Sequence, residues 1–328
     1  IDLSPDFVRA LPRPLGDLLR RMSVRGRMRT TLDRLRLDRA ETDQWQVSGR
    51  VSLDSASLSL GVALTDFSGR LTGSCQIIGG EAEIGADFEI DRGTLMGRPI
   101  ARWEGRLSRG RGQPAVRLTE VRGRLCEGEV VGEVTVDPVT TAYELSATLH
   151  DVNLALLLDP RAKPGDQRPG RVGGHVFVRG VGADPTRREG GGDLRISSAS
   201  LLSNRVSAPV VRASRDAPRP LSESIDQAEL RFAWRGPALM FERVDIRTRD
   251  LRLIGEGWWN SADDSLSLTL IGAHPEDAPR LAVITDLLEL AGKELLQYRI
   301  DGTLANPRVT VQPLHNLTEP LRRLLGGD

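Results

Sequence analysis

The sequence predicts a mainly β protein: a long curved antiparallel sheet, read as a half-open β-groove, with a few capping helices. Three observations predict it. A five-residue phrase, apolar–x–Gly–Arg–apolar, recurs as Val24–Met28, Val47–Val51, Phe67–Leu71, Trp103–Leu107 and Val121–Leu125, and Ile300–Leu304 repeats it without the arginine. Between the copies, apolar and polar residues alternate with period two, as in Glu129–Val136 and Ile84–Ile90. That period belongs to a strand with one dry and one wet face. Glycine is abundant at 34 residues while Phe, Trp and Tyr are few, which suits many strands with tight turns better than a dense aromatic core.

Within each phrase, residues i, i+2 and i+4 share a face. Apolar–Gly–apolar therefore lies on one side and the arginine points to water. The glycine is expected to leave a notch in the apolar face, since glycine in a strand marks a bend or a close approach.

Element by element, residues 5–22 read as short helical pieces broken near Pro12 and Pro14. Strands are expected over 24–37, 45–54, 56–64, 67–78, 82–92, 99–109, 114–124, 128–137 and 141–150. Asp151–Leu158 reads as a helix that stops before Pro160, and Arg161–Gly170 as a polar loop. Strands resume over 171–181, 190–203, 227–235, 238–248, 250–259 and 264–272, with a loop rich in Arg and Pro over Ser214–Ser222. Leu281, Ile284, Leu288, Ala291 and Leu295 recur at helical spacing, which predicts a helix over 276–297. Strands Tyr298–Leu304 and Arg308–Gln312 and a short amphipathic helix close the chain. The order of elements does not fit a βαβ sheet. Three segments follow: an N-terminal helical piece over 1–23, a first sheet segment over 24–150 and a second over 151–328.

Charge is balanced, 45 basic against 45 acidic residues, so no global field draws the chain to nucleic acid. Cys75 and Cys126 have no metal spacing, and they could pair, stay free or be buried separately. The four histidines are scattered, and no phosphate loop, dinucleotide fingerprint, zinc-protease or nucleophile-elbow motif is present. The reading is of a non-enzyme without metal or cofactor. Trp258-Trp259 reads as one ring in the sheet core and one over a turn. No apolar run is long enough to cross a bilayer as a helix. The chain opens at Ile1 without an initiator Met, which reads as a fragment, so the lack of an anchor in it says little about the full protein.

Alternation assigns the groove face to Val130, Val134, Val136, Leu230, Phe232, Leu251, Leu253, Leu266, Leu268 and Leu270. A one-residue slip in register would reverse any of them.

Several segments carry a resemblance. Ala228–Trp234, Leu251–Trp258 with its Gly-x-Gly, Leu266–Leu270 and the close Ile300–Val309 are similar, in that order, to the C-terminal region of the AsmA-like family (AsmA/TamB-type envelope proteins). Leu125–Gly132 and Gly192–Ile196 resemble other recurring pieces of it. The resemblance implies a periplasmic protein of diderm bacteria, held to the inner membrane by an anchor outside this chain. It implies phospholipid acyl chains as ligand, carried in a hydrophobic β-groove in support of outer-membrane biogenesis, with outer-membrane assembly proteins as further partners. The alternative is a closed β-scaffold that acts through protein partners in the envelope.

Overall fold

The computed structural model describes residues 3, 6, 9, 16–17, 19–20, 22–38, 44–59, 63–159, 169–182, 184–200, 208–215, 220–273 and 295–313. Sixteen strands form one antiparallel sheet in which sequence order is spatial order, and β1 and β16 are not paired to each other, so the sheet is not closed into a barrel. The strands are β1 (Arg25–Asp38), β2 (Gln44–Ser59), β3 (Ala63–Ile78), β4 (Glu81–Leu95), β5 (Arg98–Arg109), β6 (Val116–Leu125), β7 (Gly128–Val136) and β8 (Ala142–Asn153). They continue as β9 (Pro169–Val181), β10 (Glu189–Ser200), β11 (Ser224–Arg235), β12 (Ala238–Arg247), β13 (Arg252–Asn260), β14 (Ser265–Ala273), β15 (Leu296–Thr303) and β16 (Pro307–Pro313). Among the described residues two short helices interrupt them, α1 (Leu154–Leu158) and α2 (Ala208–Ala213). Near the N-terminus, Asp6, Arg9, Gly16, Asp17, Leu19 and Arg20 are helical.

The chain forms two compact units. Unit 1 comprises Ile1–Asn153 with Gly174–Gly190, and unit 2 comprises Leu154–Gly173 with Gly191–Asp328.

Tight turns set the register of unit 1. Ile78 and Glu81 flank Gly79-Gly80, at φ 60° and 83°, and Leu95 and Arg98 flank Met96-Gly97, at φ 50° and 78°. Left-handed dihedrals at both central residues match the right-handed twist of the strands. Leu125 and Gly128 flank a turn of the same kind made without glycine, Cys126-Glu127 at φ 48° and 70°. It is held from both sides: Cys126 N donates to Pro99 O at 3.0 Å, and Asn153 Nδ2 donates to Glu127 Oε2 at 2.8 Å.

The strands bend at a recurring device. Ser55, Asp66, Arg102, Glu120, Asp151 and Ser198 all take φ between 49° and 55° inside strands. Register shifts accompany the first four, as expected of β-bulges, which insert one residue and increase local twist. The extra residue reverses the pleat, so the apolar spacing becomes three. Leu53 is followed by Ala56, Leu64 by Phe67, Leu118 by Val121, Leu149 by Val152 and Ile196 by Ala199. After the bulges at Ser55, Asp151 and Ser198 the next residue sinks deepest: Ala56 and Val152 are 0% exposed and Ala199 1%.

These bulges correct part of the sequence reading. Residues 45–54 and 56–64 are not separate strands: β2 runs on to Ser59 through the bulge at Ser55. Asp151–Asn153 end β8 instead of opening a helix, because the bulge at Asp151 returns Val152 to the dry face and only Leu154–Leu158 coil. β13 starts at Arg252, because the Thr248 hydroxyl and backbone tie Leu251 into a turn. Of the helix expected over 276–297, residues 276–294 lie outside the described residues, and Leu296 and Gln297 instead open β15 against Gly272 and Ile271. The C-terminal helix also lies outside them.

Candidate functional site

Directly opposed residues of an antiparallel pair share a face, so the register reads out each face strand by strand. In unit 1 one face collects Val47, Val51 and Leu53 of β2, Leu71 and Cys75 of β3, and Ile84, Ala86, Phe88 and Ile90 of β4. It continues with Trp103 and Leu107 of β5, Leu118 of β6, Val130, Val134 and Val136 of β7, and Tyr143, Leu145 and Leu149 of β8. The opposite face carries cross-strand ion pairs, Arg70–Glu89 at 3.0 Å, Arg122–Glu104 at 3.1 Å and Arg106–Asp87 at 3.5 Å. All are solvent-exposed and contribute little to stability. They do keep that face wet and fix which side is which.

The glycine notches are filled, which corrects the expectation of open gaps. A Cβ at Gly49 would meet Thr31 O at 2.2 Å, and one at Gly69 would meet Glu89 O at 2.2 Å. The partner backbone has moved into the space a side chain would take. Elsewhere a ring takes it. Phe88 lies against Gly105, its opposed residue, and Trp103 against Gly123, where a Cβ would fall 2.1 Å from Trp103 Cδ1. Trp103 Nε1 also donates to Arg124 O at 2.8 Å. The repeated phrase thus serves close strand packing and aromatic cover of glycine, a known device for pinning register.

Cover over the apolar face differs along unit 1. Residues at the bulges are sealed, but Val47, Val51, Leu71, Phe88, Leu107, Leu118, Val134 and Leu145 stay half-buried. On the outermost strand Leu32 and Leu35 are 53% and 54% exposed.

Unit 2 builds its own apolar face from straight cross-strand rows. One row is Phe232, Phe241, Gly257, Leu268, Ile300 and Val309, and the next is Leu230, Val244, Gly255, Leu270, Tyr298 and Val311. Leu221, Val244, Leu251, Leu253, Leu266, Leu270, Tyr298 and Ile300 form its buried core. Val210 of α2 packs on this core, and α2 lies beside β16, so the helix straps one rim of the face. A small cleft between Val211, Arg215, Leu221, Glu223, Thr248 and Leu251 adjoins it. Two of its polar groups are engaged, the Thr248 hydroxyl by Leu251, and Arg215 by Glu223 at 3.5 Å.

The ten residues assigned by alternation therefore all fall on apolar faces, but not in one cluster. Val130, Val134 and Val136 belong to unit 1, and Leu230, Phe232, Leu251, Leu253, Leu266, Leu268 and Leu270 to unit 2. Val134, Leu230, Phe232 and Leu268 are half-buried and the other six buried. Alternation missed Phe241, Val244, Tyr298 and Ile300, although each sits in phase with a residue it named. The tryptophans divide between faces. Trp259 packs on the core and donates from Nε1 to Asp264 Oδ1 in the turn at 3.0 Å, whereas Trp258 is 36% exposed on the polar face beside Met240.

Other chemistry is sparse. Among the described residues no group of three or more His, Cys, Asp or Glu could hold a metal ion. No described helix is long and apolar enough to cross a membrane. Both cysteines are free. Burial raises the Cys126 thiol to about 11, with Arg98 opposing and Glu127 adding to the rise. Burial also raises Cys75, against Arg109. The thiolate is the nucleophile, so at pH 8 a maleimide should label Cys75 slowly and Cys126 only after denaturant is added. Rapid native-state labelling of Cys126, read by peptide mass, would contradict its burial.

Comparison with protein-family models, with curated proteins and with solved structures finds no match for this chain.

Proposed function

We propose that this chain is a non-enzymatic, AsmA-like protein that binds or conducts phospholipid acyl chains on its apolar sheet face. In this reading it works in the periplasm, anchored to the inner membrane from outside this chain, in support of outer-membrane biogenesis. The observation that carries the reading is the half-buried face of unit 1. A one-sided sheet normally buries its apolar side under a second layer, and large exposed apolar patches mark a binding partner.

Dimensions and energies suit hydrocarbon. Strands lie about 4.8 Å apart, so a row across the six strands β11–β16 spans about 24 Å, while one leaflet's hydrocarbon is about 15 Å thick. Each methylene removed from water gains about 0.8 kcal/mol. Affinity then comes from area, without a polar pocket, and a ligand can shift from row to row at little cost. The strap of α2 over unit 2 favours the second reading, a closed scaffold, for that half of the chain.

Mass spectrometry of organic extracts from gently purified protein tests the proposal. Wild type and the polar-face variant Arg70→Gln should retain phospholipid. Val134→Arg and Leu71→Arg should lose most of it while circular dichroism reports a folded sheet. Phospholipid that survives in folded lining variants would sink the reading. Folded wild type without lipid would favour the scaffold.

A further inference from the structure

Among the described strands β2–β8, the apolar face of unit 1 carries two arginines, both on β5: Arg98, opposite Leu95, and Arg109. Arg109 ends β5 directly opposite Ile84, which fixes its side, and it follows Gly105 and Leu107 in phase. Of the other arginines of β5, Arg98 donates to Met96 O at 2.8 Å in the β4–β5 turn, Arg106 faces Asp87 and Glu120 on the polar face, and Arg102 sits in the bulge. Arg109 is half-buried, and it shares a cross-strand row with Ile84 and Cys75.

On unit 1's polar face Arg70, Arg106 and Arg122 pair with carboxylates, and in the same hairpin Arg111 reaches Glu83 at 3.9 Å. Among the described residues Arg109 makes no ion pair. Its hydrogen bond, Nε to Gln113 O at 3.0 Å, uses a neutral carbonyl of the Gly110–Gln113 turn. A guanidinium is planar, always charged and matched to phosphate oxygens, and one bordering a hydrocarbon-binding face stands where a lipid's chains would give way to its head group.

We propose that Arg109 anchors the phosphate of a glycerophospholipid whose acyl chains lie on the face formed by Cys75, Ile84, Leu107, Leu118 and Val136. This rests on the lipid reading above. It adds that the head group lies at the β5–β6 rim, with its phosphate on Arg109. The chains supply affinity through area, and Arg109 supplies orientation and head-group preference through charge-assisted hydrogen bonds.

The test is a competition, read by native mass spectrometry of the whole chain, between dioleoyl-phosphatidylglycerol and dioleoylglycerol. The two share their chains and differ in the phosphate head group. Wild type should prefer the phospholipid about tenfold, the scale of a charge-assisted hydrogen bond. Arg109→Gln should bind both equally and keep its affinity for dioleoylglycerol, Arg109→Lys should keep part of the preference, and Arg111→Gln should keep all of it. A full preference in folded Arg109→Gln would overturn the anchor and leave the lipid reading standing. Failure of wild type to bind either lipid would overturn both. Inorganic phosphate should not displace the phospholipid at equal concentration; if it does, the site recognises free phosphate and the anchor is wrong.

Discussion

Replacing Asp245 by alanine is expected to destabilise the protein by about 3–5 kcal/mol, the range for breaking one side of a buried ion pair. Asp245 is 2% exposed. Arg252 grips it with two hydrogen bonds, Nε to Oδ1 at 3.1 Å and Nη2 to Oδ2 at 2.7 Å, and Arg243 and Arg247 stand at 3.6 and 3.8 Å. The Arg252 side chain is itself only 12% exposed, so alanine would leave a guanidinium largely out of water without its counter-charge. Arg243 and Arg247 are about half-exposed and would relax into solvent. Urea denaturation at pH 7 measures the loss. Removing both charges with Asp245→Leu and Arg252→Met should recover most of it, because apolar replacement of a whole buried pair is often neutral. A single variant within 1 kcal/mol of wild type would show that the pair is not buried as described.

The same pair fixes a pH dependence. Burial pushes the Asp245 carboxyl up, but the Arg252 hydrogen bond and the charges of Arg252, Arg247 and Arg243 outweigh it and hold the carboxyl below its ordinary value. Its folded value thus lies below the unfolded one of about 3.9. The stabilisation is complete above the unfolded value and disappears as pH falls through the folded one. Asp245→Asn should therefore differ most from wild type at neutral pH, and the difference should shrink as pH falls from the unfolded value through the folded one. A constant difference across that range would rule out ionised Asp245 as the cause.

Gly255→Ala is expected to cost about 1–3 kcal/mol or more, the range for forcing atoms into a packed site. A Cβ there would fall 1.9 Å from Thr269 O and 2.8 Å from Leu270 Cα, both backbone atoms of β14. Neither can yield without opening the ladder between β13 and β14, in which Gly255 opposes Leu270. Gly85→Ala is the contrasting case. Gly85 lies on the polar face between Ser74 and Ser108, and a Cβ there meets nothing within 4 Å. Removing the entropic penalty of a strand glycine should stabilise the protein by about 0.5–1 kcal/mol. Thermal melts of the two variants check both signs. Equal losses would mean that strand propensity, and not backbone approach, decides these positions.

Much of the fold was legible because the strand period is short and local. The wet and dry sides of Ile84–Ile90 and Glu129–Val136 follow from alternation, and the ten lining residues fell on apolar faces for that reason. The bulges were less legible. Leu53-Asp-Ser-Ala56 and Leu149-His-Asp-Val152 look like breaks in a strand, since their apolar spacing of three matches neither period. Only the left-handed φ at Ser55 and Asp151 shows that the strand continues. The signal was there as a recurring apolar–x–polar–apolar step in six strands. Arg109 was hidden in a similar way, because one arginine among 43 has no distinguishing neighbour in the sequence. It stands out only once the register assigns its side.

The sequence by itself determined the class of fold, the identity of most strands and which residues each strand turns to its dry side, because side-chain direction in a strand depends on near neighbours alone. Tertiary structure decided what covers that dry side. The partner backbone at Gly49, the Trp103 ring at Gly123, the strap of α2 and the four-residue knot at Asp245 all join positions set by strand pairing. Whether an apolar residue ends up sealed, as Tyr298 is, or half-exposed, as Val134 is, depends on what packs above it, and no local pattern encodes that.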